Sequence, residues 1–319
     1  MNYIVFDLEW NQSPSGKVIS NENGALPFEI IEIGAVKLDE ELNKISSFDR
    51  LIRPEVYLKL HKAIEIMLPI TMRDLQKGKS FTEAVYDFLQ WCGEDVIFCT
   101  WGDMDLFQLQ RNMNYFGVEN RFPLPFLYLD LQSIFSETYL DGSKNAGLNE
   151  AVEILKVPRR NTFHRAIYDA DYTAEIAKRM DRKLLENNFS IDTYKVPQKS
   201  SEEFRIRNSY IEQYVTKAFD SKEKATGYRE LRSARCFICD RQMDRKIRWF
   251  CDNGKNYYAA FKCEKHGFIT GKFRVKKSDD GKFFALRTMT RTDRSGYMAV
   301  QDKKEKERER INQKLESER

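Results

Sequence analysis

No stretch of this 319-residue chain approaches the about 18 consecutive apolar residues that a membrane-spanning helix needs. The longest apolar run, 28–36, is itself broken by Glu29 and Glu32, so neither a helical span nor a membrane partner is expected. The opening residues, MNYIVFDLEW, carry charge where a secretory leader has its apolar stretch, and the expected location is cytoplasmic. Cysteine is sparse, at six residues, and in that compartment the thiols are expected to stay reduced. Histidine is rarer still, at three. No repeat of 20–50 residues is present, which sets aside solenoids and propellers.

What the chain does have is enough hydrophobic residues for a core, 41%, under a heavily charged surface, 32%. Its length exceeds the ~100–200 residues of one typical domain. The net charge of +4 hides an asymmetry: residues 1–185 hold 21 Lys and Arg against 28 Asp and Glu, whereas the remainder holds 32 against 21. An acidic catalytic unit joined to a basic one that meets phosphate is the expectation. Residues 3–8 (YIVFDL), 28–38 and 45–52 read as strands, the first three forming an antiparallel meander, with a loop over 11–24. Helical spacing follows at 81–91, 105–116, 131–137, 148–155 and 167–185, with short strands at 96–100 and 128–129. The fold class expected is α/β, a mixed sheet flanked by helices over 1–185, followed by a linker with a weak helical pattern over 186–230. Residues 231–295 alternate aromatic and basic runs between turns and are expected to form a second small β-rich module, and 296–319 is a charged tail, a solvated helix or disorder.

Acidic groups stand at the ends of several elements. Asp7 and Glu9 are two apart at the end of a strand and therefore share a side. Asp103 and Asp105 lie between a short strand and a helix, and Asp169 opens the last helix, five residues after His164. Carboxylates so grouped repel unless cations neutralise them, and hard oxygen-seeking ions, Mg²⁺ or Mn²⁺, suit the task. Two such ions form a clamp for in-line displacement at phosphorus, and an imidazole ordinarily exchanges a proton near neutral pH, which suits His164 to general-base work. His61 has no acidic or cysteine partner pattern.

In this order the motifs VFDLEW, WGDMDLFQL and GLNEAVEILKVPRRNTFHRAIYDADYTAEI resemble those of DEDDh-type 3′→5′ exonucleases, which have an RNase-H-like fold and include the proofreading subunit of bacterial polymerase. The runs PFEIIEIGAVKL and FTEAVYDFLQW are similar to the branch of histone-mRNA and small-RNA trimming exonucleases. The resemblance covers about 1–183. It implies that Asp7, Glu9, Asp105 and Asp169 hold two divalent ions, that His164 is the general base, and that single-stranded 3′ ends of RNA or DNA are degraded to nucleoside 5′-monophosphates. It favours Asp105 over Asp103, which becomes a helix cap, and Asp169 over Asp171, which breaks the five-residue spacing. Leu8 and Trp10 are expected against the terminal nucleotide, with Trp101 a further stacking candidate. The alternative is a catalytically silent nucleic-acid-binding or protein-interaction scaffold on the same fold.

Four cysteines fall in the second module. Cys236-x2-Cys239 and Cys263-x2-His266 have the spacing of two zinc knuckles, so a structural Zn²⁺ is expected on those four, with Cys251 as an alternative ligand. Cys92 and Cys99 read as buried apolar side chains.

Overall fold

The computed structural model describes residues 1–140, 144–252 and 254–317. The chain divides into two compact units, Met1–Tyr194 and Lys195–Arg319. No helix among the described residues is long and apolar enough to cross a membrane.

The first unit opens with β1 (Asn2–Gln12), which runs past the expected strand end at residue 8, followed by a two-stranded hairpin, β2 (Ile19–Asn21) and β3 (Gly24–Leu26), that begins within the stretch expected as a loop and ends just beyond it. Next come β4 (Phe28–Leu38) and β5 (Lys44–Leu51), short helices α1 (Lys62–Met67) and α2 (Met72–Leu75), and α3 (Phe81–Cys92). Then β6 (Val96–Thr100), α4 (Met104–Tyr115), β7 (Leu127–Asp130), α5 (Leu131–Tyr139) and α6 (Leu148–Ile154) alternate. The unit ends with α7 (Ala166–Arg179), α8 (Arg182–Asn187) and β8 (Ser190–Ile191). The six-stranded sheet has the order β5-β4-β1-β6-β7-β8. The first three strands in that order are antiparallel, β1, β6 and β7 run parallel, and β8 is antiparallel to β7. This is the mixed α/β architecture expected of an RNase-H-like exonuclease.

Strand β1 is apolar on both faces because both are covered. Ile4, Phe6 and Leu8 pack with Phe81, Val85, Phe88, Leu106 and Leu109, from α3 and α4. Val5 packs with Phe135, Val152, Ala170 and Ile176, from α5, α6 and α7. Past residue 8 the ladder to β4 shifts between Glu9 and Trp10, a bulge that re-aims the strand end.

Two expectations need correction here. The helix expected over 167–185 breaks at Met180, where the backbone becomes extended and Asp181 starts α8 by accepting the Lys183 N–H at 2.9 Å. The stretch expected as a linker is structured: α8 and β8 belong to the first unit, and β9 (Phe204–Arg207) and β10 (Ile211–Val215) stand where a weak helix was expected. Phe-Arg-Ile-Arg alternates with period two, and Asn208 closes the turn by accepting from the N–H groups of Tyr210 and Ile211 at 2.8 and 2.9 Å.

The second unit continues with α9 (Lys222–Gly227), the strands β11 (Asp244–Asp252), β12 (Asn256–Cys263), β13 (Gly267–Lys277) and β14 (Phe283–Thr292), and α10 (Arg294–Ser317). Its antiparallel sheet has the order β11-β12-β13-β14-β10-β9. The charged tail is thus a helix as far as Ser317, and its first turns pack on the sheet, with Val300 against Ile247 and Ala260 and Tyr297 stacked on Phe268.

Candidate active site and metal centre

Asp7 and Glu9 lie in the second half of β1 on the side that α7 covers, while Asp105 sits in the first turn of α4 and Asp169 in the first turn of α7. Both helical carboxylates are about nineteen-twentieths buried, each 6% exposed. The Leu8 N–H donates to Asp105 Oδ1 at 3.1 Å, tying α4 to β1. The His164 N–H donates to Asp169 Oδ2 at 2.9 Å, bending the loop back onto the helix it precedes. His164 holds φ +69°, a left-handed conformation that a non-glycine residue keeps only when its surroundings impose it, and its side chain is exposed. Glu9, His164 and Asp169 each offer a ligand atom, and these atoms all lie within 4.8 Å of one another.

The helix α7 comes this close because β4 carries Gly34 directly opposite Asp7. A Cβ on Gly34 would fall 2.0 Å from the Ile167 nitrogen and 2.1 Å from the Ala166 carbonyl carbon, so backbone rests on backbone there.

Negative charge is crowded at this point. Burial, then Asp105, Asp169, Glu9 and Glu32, hold the Asp7 carboxyl well above the usual carboxylate range. Burial followed by the charges of Asp169 and Glu32 pushes Glu9 up to about 8, with Arg165 opposing. Burial lifts Asp105 to about 7 against the N–H bond from Leu8, and lifts Asp169 to about 6 against that from His164. Asp169 Oδ1 is buried without a hydrogen-bond partner. An acceptor left so, amid carboxylates that raise one another's pKa, fits a bound cation: the residues present suit hard divalent ions.

The other candidates occupy varied positions. Asp103 takes the N-cap position of α4 without a side-chain capping bond. Asp171 points elsewhere, to Lys44 Nζ at 2.7 Å. The Leu8 side chain is buried in the core, so its backbone N–H is what it brings to the site. Trp101 is packed beside Phe135, its indole N–H donating to the Ala146 carbonyl at 3.2 Å. Trp10 is half-buried, its ring 5.8 Å from that of Phe28. His61 caps α1, with Nδ1 accepting from the Ala63 N–H. Sequence reasoning missed Glu32, Arg165 and Gly34; the signal for Glu32 was its place as one of two glutamates interrupting the apolar run 28–36.

In the second unit Cys236, Cys239, Cys263 and His266 bring their ligand atoms within 4.8 Å of one another. The Cys239 and Cys263 sulfurs are 3.8 Å apart, and His266 Nδ1 lies 3.4 Å from the Cys236 and 3.6 Å from the Cys263 sulfur. Tetrahedral bonds of ~2.3 Å to sulfur and ~2.0 Å to nitrogen give edges of about 3.8 and 3.5 Å, so the donor set fits zinc. Although burial opposes it, N–H bonds from His266 and Lys265 bring the Cys263 thiol down to about 7, while burial outweighs similar bonds at Cys236 and holds it at about 11. Cys251 lies on β11 opposite Tyr257 and outside this group.

A family model described as exonuclease, RNase_T, matches residues 4–177. The chain is 29% identical over 175 residues to a probable 3′-5′ exonuclease, KapD, of Bacillus subtilis (strain 168), covering 52% of this chain and 78% of that one. It is 29% identical over 185 residues to a PolC-type DNA polymerase III of Clostridium perfringens (strain 13 / Type A), covering 58% of this chain but just 11% of the polymerase. Among solved structures it resembles the nuclease domain of 3′hExo, a DEDDh family member bound to rAMP, with 18% identity, a TM-score of 0.47, and coverage of 60% of this chain and 96% of that one. The matched span takes in Asp7, Glu9, Asp105, His164 and Asp169 and more than half the sequence, and the chain belongs to the RNase_T exonuclease family.

Proposed function

We propose that the chain is a metal-dependent 3′→5′ exonuclease that hydrolyses terminal phosphodiester bonds of single-stranded RNA or DNA in the cytoplasm and releases nucleoside 5′-monophosphates. The observation that carries this reading is the grouping of Glu9, His164 and Asp169, whose ligand atoms lie within 4.8 Å of one another, with Asp105 and Asp169 among the charges that raise Asp7 and a buried Asp169 oxygen left without a partner. Asp7, Glu9, Asp105 and Asp169 would hold two Mg²⁺ or Mn²⁺ ions. Such ions, when bound, activate a water and stabilise the leaving oxygen of an in-line displacement. His164 takes the proton of the attacking water on a ring nitrogen, and its exposure leaves it free to pass that proton to solvent. Trp10, half-buried at the edge of the core and next in sequence to Glu9, offers an aromatic face to the terminal base.

In the same reading Cys236, Cys239, Cys263 and His266 hold a structural zinc, and the basic second unit holds the strand being degraded. The kinship to a probable 3′-5′ exonuclease supports the polarity of the reaction.

The test is digestion of 5′-labelled single-stranded RNA and DNA of one sequence with Mn²⁺, beside Asp7→Ala and His164→Ala. A ladder shortening from the 3′ end, with both variants slowed at least ~10²-fold, is expected. No cleavage of either strand, or wild-type rates from the variants, would move the chain to the scaffold alternative. Metal analysis of the purified full chain should find one zinc, lost in Cys236→Ser.

A further inference from the structure

Arg165 occupies the N-cap of α7, the end of a helix dipole where a cation is disfavoured, and makes no side-chain capping bond. Its guanidinium turns instead to Glu32, with Nε and Nη2 each 2.8 Å from Oε1. Glu32 in turn supplies the acceptor that Arg165 does not: its Oε2 receives the Ala166 N–H of the helix's first turn at 3.2 Å. Asp49 Oδ2, at 3.6 Å, and the Tyr168 ring, at 5.7 Å, flank the guanidinium.

The position of this pair gives it a consequence. Glu32 is fully buried on β4 and faces Glu9 across the ladder, so it is fixed to the strand that anchors the carboxylate cluster. Arg165 and Ala166 directly follow His164. The strained backbone of His164 is therefore held from both sides, by Asp169 through its own N–H and by Glu32 through the next two residues.

We propose that Glu32 and Arg165 form a positioning clamp that fixes the His164 loop against the carboxylate cluster, so that loss of either partner releases the histidine without dismantling the metal ligands. This rests on the exonuclease reading, with Glu32 and Arg165 as positioning residues and His164 as the catalytic one. A displacement of about 1 Å at a reacting group costs on the order of 10²-fold in rate, which sets the scale of the effect.

The experiment uses the full chain as wild type, Glu32→Gln, Arg165→Lys, Arg165→Met and the Glu32→Gln/Arg165→Met double variant. Steady-state kinetics on a labelled single-stranded oligonucleotide are measured with Mn²⁺ titration, thermal melting and NMR of histidine labelled with ¹³C at Cε1, where three signals, from His61, His164 and His266, are assigned by substitution. Expected are a ~10²-fold fall in kcat for Glu32→Gln and Arg165→Met, with KM and the Mn²⁺ requirement within about threefold of wild type. The double variant should be no slower than either single one, Arg165→Lys should recover part of kcat, and the His164 signals should narrow as the ring gains freedom. Wild-type kcat in the single variants, additive losses in the double, or a fall in kcat that merely tracks melting would overturn the clamp. If the wild type cleaves no oligonucleotide the exonuclease reading fails, yet the His164 signals still decide the clamp: unchanged lines in the variants would refute it.

Discussion

At the scale of single residues the cluster is built against the stability of the protein that carries it. Carboxyls ordinarily titrate near 4, yet Glu9 is pushed up to about 8, Asp105 to about 7 and Asp169 to about 6, chiefly by burial. The folded chain therefore binds protons that the unfolded chain has already released, so stability without metal falls as pH rises from about 4 and is lowest above about 8. Asp7→Asn removes one of the repelling charges. Stripped with EDTA at pH 8.5, this variant should melt about 5 °C above wild type, and the gap should close towards pH 5. Mn²⁺ should raise the wild-type melting temperature and leave the variant nearly unmoved; melting curves at the two pH values check this, and a variant less stable than wild type at pH 8.5 would contradict it. The five proposed site residues stand out in the sequence because Asp7 and Glu9 are acidic positions within an apolar strand, Asp105 and Asp169 fall in the first turns of helices, and His164 directly precedes one of those helices. Glu32 and Arg165 were not, since their meaning lies in a bond between residues 133 positions apart that no local pattern announces.

At the scale of elements, the site depends on how closely α7 lies on β4. Gly34 opposite Asp7 is what permits the close approach, because any Cβ there meets rigid backbone and no side chain can swing aside. Gly34→Ala should lift the first turn of α7, moving Asp169 and the His164 loop away from Asp7. Cleavage is expected to fall at least ~10²-fold while far-ultraviolet circular dichroism stays near wild type, a split that separates displacement from unfolding. Wild-type cleavage by Gly34→Ala would show that the helix can yield without consequence. The longer strands of the first unit were readable as apolar runs, and α3 and α4 as 3.6-residue stripes. What escaped were the elements with weak periodicity: the three-residue strands β2 and β3, the break before α8, and the pair β9 and β10, whose four- and five-residue lengths leave too few positions to separate period two from a helical pattern.

At the scale of the whole molecule, charge is segregated. Residues 195–319 hold 32 Lys and Arg against 19 Asp and Glu, while residues 1–194 hold 21 against 30, so the unit bearing the carboxylate cluster repels a polyanion that the other attracts. On the second sheet, Lys272 stands opposite Tyr258 and Arg274 opposite Asn256, so both exposed cations share one face of β13. Lys272 and Lys303 both lie within 6.0 Å of the Tyr258 ring, a mixture of cations and aromatic surface suited to a single strand. Every cation that no longer neutralises a phosphate should lower the slope of log affinity against log salt by about 0.7 for single-stranded ligands. In full-length protein carrying Asp7→Asn to prevent cleavage, Lys272→Gln/Arg274→Gln should therefore weaken binding of a 20-nucleotide strand and flatten its salt dependence by about 1.4, measured by fluorescence anisotropy between 50 and 250 mM salt. An unchanged slope would place the strand elsewhere and leave this face of β13 to a protein partner, because a sheet surface that gives up two cations without a change in salt dependence has released no counterions there.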